Sequence, residues 1–168
     1  MTLGDLRTRR KEIERIAERH EAQRPCVRLG GAGATQQNVE RVRKGIDAFN
    51  RRDFDTALEL VSEDVAFERF LSRAESQTEW VRGRRELRAV WKSQVEAVDL
   101  RVEPEEFIAV GADKVIVPVR MIARGSGSEI RLQASIAWMW TFDEAGIATR
   151  VEVFESRDKA LTAVGRGE

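Results

Sequence analysis

The chain has 168 residues, 42% of them apolar, and carries 29 basic and 29 acidic side chains for a formal net charge of zero. That length suits one domain with an extension, and no apolar run approaches the ~18 residues of a membrane-spanning helix. Balanced, intermixed charge supplies no global field to draw the protein onto nucleic acid. Neither a nucleic-acid nor a membrane partner is expected.

The opening stretch MTLGDLRTRRKEIERIAERH puts charges where a secretion signal needs apolar residues, and Cys26 is the sole cysteine. Together these predict a protein of the reducing cytoplasm without an internal disulfide. Cys26 has no histidine or second cysteine near it to suggest thiol catalysis, and no metal site or cofactor is expected. Residues 3–23 are predicted to form a helix, with Leu3, Leu6, Ile13, Ile16 and Ala17 at helical spacing. The helix is expected to stop before Pro25, and LGGAGAT at 29–35 reads as a flexible linker. An appended segment (1–35) and a main domain (36–168) are therefore expected.

In the main domain, Val39, Val42, Ile46 and Phe49 predict an amphipathic helix over 36–50. Asp53 is a plausible N-cap for a second helix over 54–61. A short strand is expected over 65–70, then a polar stretch. Gly83 precedes a third helix over 84–97, whose apolar stripe is Leu87, Val90, Trp91 and Val95. From there the period changes to two, predicting strands over 101–110, 114–124, 129–142 and 148–155, with turns at 111–113, 125–128 and 143–146. A short helix over 157–164 closes the chain. Three helices followed by a meander of antiparallel strands is an α+β layout, and a strongly curved sheet wrapped on helices leaves a pocket between them.

The string AFNRRDFDTALELVSEDVAFE at 48–68 resembles the signature A-F-N-x-G-D-x-D-x-x-x-x-L-x-x-D-V that opens SnoaL-like proteins of the nuclear transport factor 2-like superfamily. RVEPEEFIAVGADKVIVPVRMIARGSGSEI and VEVFESRDKALTAVG also look like that family, so the resemblance covers about 36–165. It implies a cone-shaped α+β fold and a homodimer formed through the outer face of the sheet. A second, shorter resemblance links LRTRRKEIERIAERHEAQRPCVRLGG to the opening helix and strand of minimal nucleotidyltransferases. The following GGAGAT lacks their paired aspartates, so nucleotidyl transfer is not expected.

Within the SnoaL-like resemblance, ketosteroid isomerases carry a tyrosine, an aspartate base and a protonated aspartate at positions that correspond here to Gly45, Arg69 and Trp138. Cyclases and epoxide hydrolases carry an aspartate at what looks like Val153. The main domain has no tyrosine, and the single histidine, His20, lies in the appended segment. Proton abstraction in the isomerase manner is therefore not implied.

Alternation over 129–142 puts Leu132, Ala134, Ile136, Trp138, Trp140 and Phe142 on one face, expected to be concave along with Phe67, Val117, Val119, Met121, Val151 and Val153. A pocket lined by Phe49, Phe67, Arg69, Trp91, Val119, Met121, Ile136, Trp138, Trp140 and Val153 is expected. Most of these serve equally as core, and the two tryptophans are the better lining candidates. Arg69 can clamp a carboxylate or polarise a carbonyl, or it can pair with Glu155 or Asp47. Arg82, Arg84, Arg85 and Arg88 gather at the start of the third helix, either as an anion site or as solvated surface. On the opposite sheet face, Ile116, Ala137, Met139 and Phe154 form an apolar patch that needs cover, consistent with dimerisation.

Three readings follow: a binding or accessory module for a small apolar molecule, a lyase, isomerase or hydrolase using Arg69 with Glu155, or an association domain with a filled pocket. The first is favoured, because the acid–base residues of the enzymatic relatives are missing at the matched positions.

Overall fold

The computed structural model describes residues 31–72, 77–125 and 131–166. The helix predicted over 3–23 and the surroundings of Cys26 lie outside those residues. In chain order the elements are α1 (Gly31–Asn50), α2 (Phe54–Glu59), β1 (Val61–Ser72), β2 (Gln77–Arg82), α3 (Arg84–Ala97), β3 (Val98–Pro104), β4 (Ile108–Val110), β5 (Lys114–Gly125), β6 (Arg131–Phe142), β7 (Ala148–Phe154) and α4 (Arg157–Arg166). The α+β class expected from the sequence is the class observed. None of these helices is long and apolar enough to cross a membrane.

Helix α1 begins at Gly31, inside the run expected to be a linker, rather than at Gln36. Ala32 and Ala34 favour helix, and the next turn is tied to the chain between β4 and β5. Thr35 donates to the Gly111 carbonyl at 3.3 Å, and the buried Asn38 donates to the Ala112 carbonyl at 3.4 Å. Val42, Ile46 and Phe49 are buried, as their spacing requires.

The end of α1 closes with two bonds: Arg52 N–H to the Phe49 carbonyl at 2.9 Å and Asp53 N–H to the Ala48 carbonyl at 2.8 Å. This is the bonding of a Schellman turn, whose left-handed residue is usually glycine. Here it is Arg52, at φ 63°, the sole non-glycine residue with positive φ among those described. The SnoaL-like signature quoted above has glycine at this position. A side chain in that conformation costs roughly 1–2 kcal/mol.

Asp53 caps α2, its carboxylate accepting from Thr56 Oγ1 at 2.7 Å and from Thr56 N–H at 3.3 Å. Those bonds to the Thr56 hydroxyl and amide hold the Asp53 carboxyl below the usual range. A depressed folded pKa means that the cap contributes fully above the unfolded pKa and loses its contribution as pH falls through the folded value. Below about pH 4, Asp53→Ala should therefore lose stability less steeply with falling pH than the parent protein, followed by circular dichroism. Superimposable acid profiles would mean that the cap does not titrate with folding.

The strands form one sheet in the order β2-β1-β7-β6-β5-β3, with β4 also paired to β5. The sheet is mixed rather than wholly antiparallel: β1 runs parallel to β7, with Ala66 opposite Arg150 and Phe67 opposite Val151. A parallel pair needs a long crossover, and everything from β2 to β6 supplies it. Strand β1 is longer than expected, and the polar stretch after it contains β2. That edge strand has only Val81 buried, so it shows no period-two signal. The single strand expected over 101–110 is two, because the chain leaves the ladder after Pro104 and rejoins β5 at Ile108.

Helices α1, α2 and α3 pack on one face of this sheet and α4 on the other. The main core collects Val115, Val117, Val119, Ile136, Trp138, Trp140, Phe142, Val151 and Val153 from the sheet, with Phe67, Leu87 and Trp91. The predicted alternation along β5, β6 and β7 therefore holds. Leu132 departs from it, being 66% exposed near the open end of β6. On the outer face Ile116, Ala137 and Met139 are buried against Ala160, with Leu161, Val164 and Phe154 packed around them. The apolar patch that the sequence offered to a second copy is thus covered within one chain.

Candidate functional site

Between the concave face of the sheet and α1–α3 lies a cavity of about 180 Å³. Of the ten residues expected to line it, Phe49, Phe67, Arg69, Trp91, Met121, Ile136, Trp138, Trp140 and Val153 do so. Val119 does not. It points to the same face but is fully buried in the core, opposite Ile136. The lining also includes Leu87, Val90 and Gln94 of α3, Gly45 and Ile46 of α1, and Leu100 and Val102 of β3. The α3 set continues the Leu87–Trp91 stripe by one more turn, so Gln94 could have been found by extending that period past the last apolar residue.

Aromatic rings give the cavity its wall. Phe67 stands edge-on to Trp91 (6.0 Å between centroids, 86°) and to Trp140 (6.3 Å, 88°), and is 6.1 Å from Trp138. Trp138 and Trp140, two apart on β6, are themselves edge-to-face at 6.3 Å. Edge-to-face contacts place the positive rim of one ring on the negative face of the next, so the cluster is rigid as well as apolar.

Polar groups in the lining are few. Among the described residues Arg69 is its sole charged side chain and Gln94 its sole amide. Arg69 lies directly opposite Glu79 on β2 and places Nε and Nη2 at 2.9 and 2.7 Å from one carboxylate oxygen, Oε2. The two carboxylates considered as partners from sequence are engaged elsewhere, Asp47 with Arg51 at 3.1 Å and Glu155 with Lys159. Glu155 is not among the lining residues. The sequence could not show Glu79 as the partner, because β2 itself was not legible. The indole Nε1–H of Trp140 is buried without an acceptor among the described residues and has no surface open to the cavity.

Two of the four arginines at the start of α3 are used structurally. Arg84 donates Nε and Nη2 to the Val61 carbonyl at 2.9 and 2.6 Å, and Arg88 pairs with Asp55. Among the described residues no three His, Cys, Asp or Glu side chains gather as a metal site would require.

The model of the SnoaL-like domain matches residues 42–151. No curated protein sequence matches the chain. Among solved structures, the chain is similar to SalBIII, described as an epoxide hydrolase/cyclase-like enzyme in pyran ring formation in the polyether salinomycin. That match has 20% identity and a TM-score of 0.61, covering 73% of this chain and 92% of the other. It is similar also to RV0760c from Mycobacterium tuberculosis in complex with estradiol-17beta-hemisuccinate (15% identity, TM-score 0.59, 70% and 92% covered). A putative polyketide cyclase from Sinorhizobium meliloti matches at 22% identity and TM-score 0.55, with 68% and 93% covered. With the family model spanning most of the chain and these neighbours sharing its cone, the protein belongs to the SnoaL-like domain family.

Proposed function

We propose that this protein binds a small apolar molecule bearing a carbonyl or carboxylate, and that it does so without acid–base chemistry of its own. The observation that carries the reading is the makeup of the cavity: among the described residues its lining contains no carboxylate, imidazole, lysine, thiol or hydroxyl side chain. A general base must come within hydrogen-bond reach of the proton it takes, and the one ionised side chain there, Arg69, holds a guanidinium that stays protonated. An apolar site with a few placed polar groups is the usual makeup of a small-molecule site. The size supports a compact ligand, since an apolar cavity of ~150 Å³ accepts benzene.

The two polar groups suit an oxygen-bearing ligand. Arg69 keeps donors beyond the two spent on Glu79, and the Gln94 side-chain amide offers a donor to a carbonyl oxygen. The steroid hemisuccinate held by RV0760c combines an apolar body with a carboxylate, and a smaller ligand of that composition fits this reading.

Thermal-shift screening against apolar ketones, terpenoids, polyketide fragments and carboxylic acids tests it. The best ketone or acid should stabilise the parent protein, and Gln94→Leu or Arg69→Ala should weaken its binding about tenfold, a loss of ~1.4 kcal/mol. Equal affinity in all three proteins, or a response only to ligands without oxygen, would refute the assignment of those groups.

A further inference from the structure

A second cavity, of about 190 Å³, lies at the end of the sheet where β3, β5 and β6 meet the turn after α1. Among the described residues its lining carries four guanidiniums, Arg52, Arg101, Arg124 and Arg131, against one carboxylate, Asp99. Leu100 is its common wall with the apolar cavity.

Three features make this more than solvated surface charge. Arg52 occupies the left-handed position that ends α1, so the backbone carries strain to keep an arginine there. Its Nη2 reaches Asp99 Oδ1 at 2.9 Å, while its Nη1 is buried with no acceptor among the described residues. The Asp99 bond and this burial fix the Arg52 guanidinium at the cavity wall, although Nη1 itself, having no accessible surface, does not face the cavity. Arg124 and Arg131 sit directly opposite each other on β5 and β6, where like charges repel, with Asp99 across from Arg124 on β3 and Glu103 acting on Arg131 as the nearby carboxylates.

The cavity floor is fixed by Asn50, whose amide donates to the Val102 carbonyl at 2.7 Å and accepts from Val102 N–H at 2.9 Å. The nearest further carboxylate, Glu103, is held by Arg120 at 2.6 Å and is 3.8 Å from Arg101. Glu103 also acts on Arg131, so among the described residues two carboxylates, Asp99 and Glu103, stand against the four arginines.

We propose that this cavity is a second ligand site, distinct from the apolar one, and that it takes a multiply charged oxyanion of the phosphate class. Guanidinium forks match phosphate oxygens in pairs, and a phosphoryl group set between Arg52, Arg124 and Arg131 would relieve the cross-strand repulsion between the last two.

Inorganic pyrophosphate is the probe, titrated at low ionic strength by calorimetry and by thermal shift, with Arg85→Gln as a control arginine outside the cavity. Binding should be saturable, should weaken at least tenfold in Arg131→Gln and in Arg52→Gly, and should be retained in Arg85→Gln. Unliganded Arg52→Gly should melt as high as the parent or higher, because glycine accepts the left-handed conformation without strain. If Arg52→Gly fails to fold, Arg124→Gln with Arg131→Gln, both at exposed positions, carries the test. No saturable binding to the parent protein, or equal binding in the site variants and the control, would overturn the proposal. Pyrophosphate engages none of the groups invoked for the apolar cavity, so each reading can fail without the other.

Discussion

Phe67→Ala should lower the melting temperature by on the order of 10 °C, from a destabilisation of about 3–5 kcal/mol. Phe67 is 6% exposed and is the ring that joins α3 to β6, touching Trp91, Trp138 and Trp140. Truncation removes its buried area and its edge-to-face contacts, each worth roughly 0.5–1.5 kcal/mol beyond burial. The hole it leaves adjoins a cavity that already exists, so the surrounding rings have nothing nearby to close upon. Chemical denaturation with the slope checked for constancy measures the loss. A value under ~1 kcal/mol would show that the tryptophans repack, and that the cavity wall is softer than its geometry implies.

Ala160→Asp should have a comparable effect by a different route. Ala160 is fully buried where α4 lies on Ile116, Ala137 and Met139. A carboxylate there has no partner on the apolar sheet face, and burying it unpaired costs several kcal/mol. The helix is expected to detach instead, exposing the patch it covers. The measured result should be a loss of about 3 kcal/mol or more, together with concentration-dependent self-association in sedimentation velocity. A variant that stays monodisperse and melts with the parent would mean that α4 is dispensable as a cover.

The parts of the fold that could be read directly were those whose own neighbours in sequence decide them. The stripe Leu87, Val90, Trp91 settles the face of α3, and the alternation through Ile136, Trp138, Trp140 and Phe142 settles that of β6. Asp53 as a cap is likewise a local matter. Strand β2 was not legible, because Gln77, Thr78 and Glu79 lie on a solvated edge where neither face demands apolar residues.

At the candidate site, most of the apolar lining followed from alternation. The partner of Arg69 did not, since it depends on a register between β1 and an unseen strand. Val119 shows the limit of the periodic argument: facing the concave side is a matter of sequence parity, whereas bordering empty space depends on how the sheet curves. The polar cavity around Arg52 escaped for the same reason, as its four arginines are spread over nearly 80 positions and converge only where three strands end.

The parallel pairing of β1 with β7 has a consequence for synthesis. Ala66 and its partner Arg150 are about 85 residues apart, so at ~5–20 residues per second the ribosome delivers the second roughly 4–17 s after the first. During that interval β1 can be hydrogen-bonded only by β2, with its other edge bare and Val65 and Phe67 uncovered by the later strands. The nascent chain therefore passes through a stage in which its most apolar early strand is open to other chains, and chaperone capture, if it occurs, should concentrate on that interval.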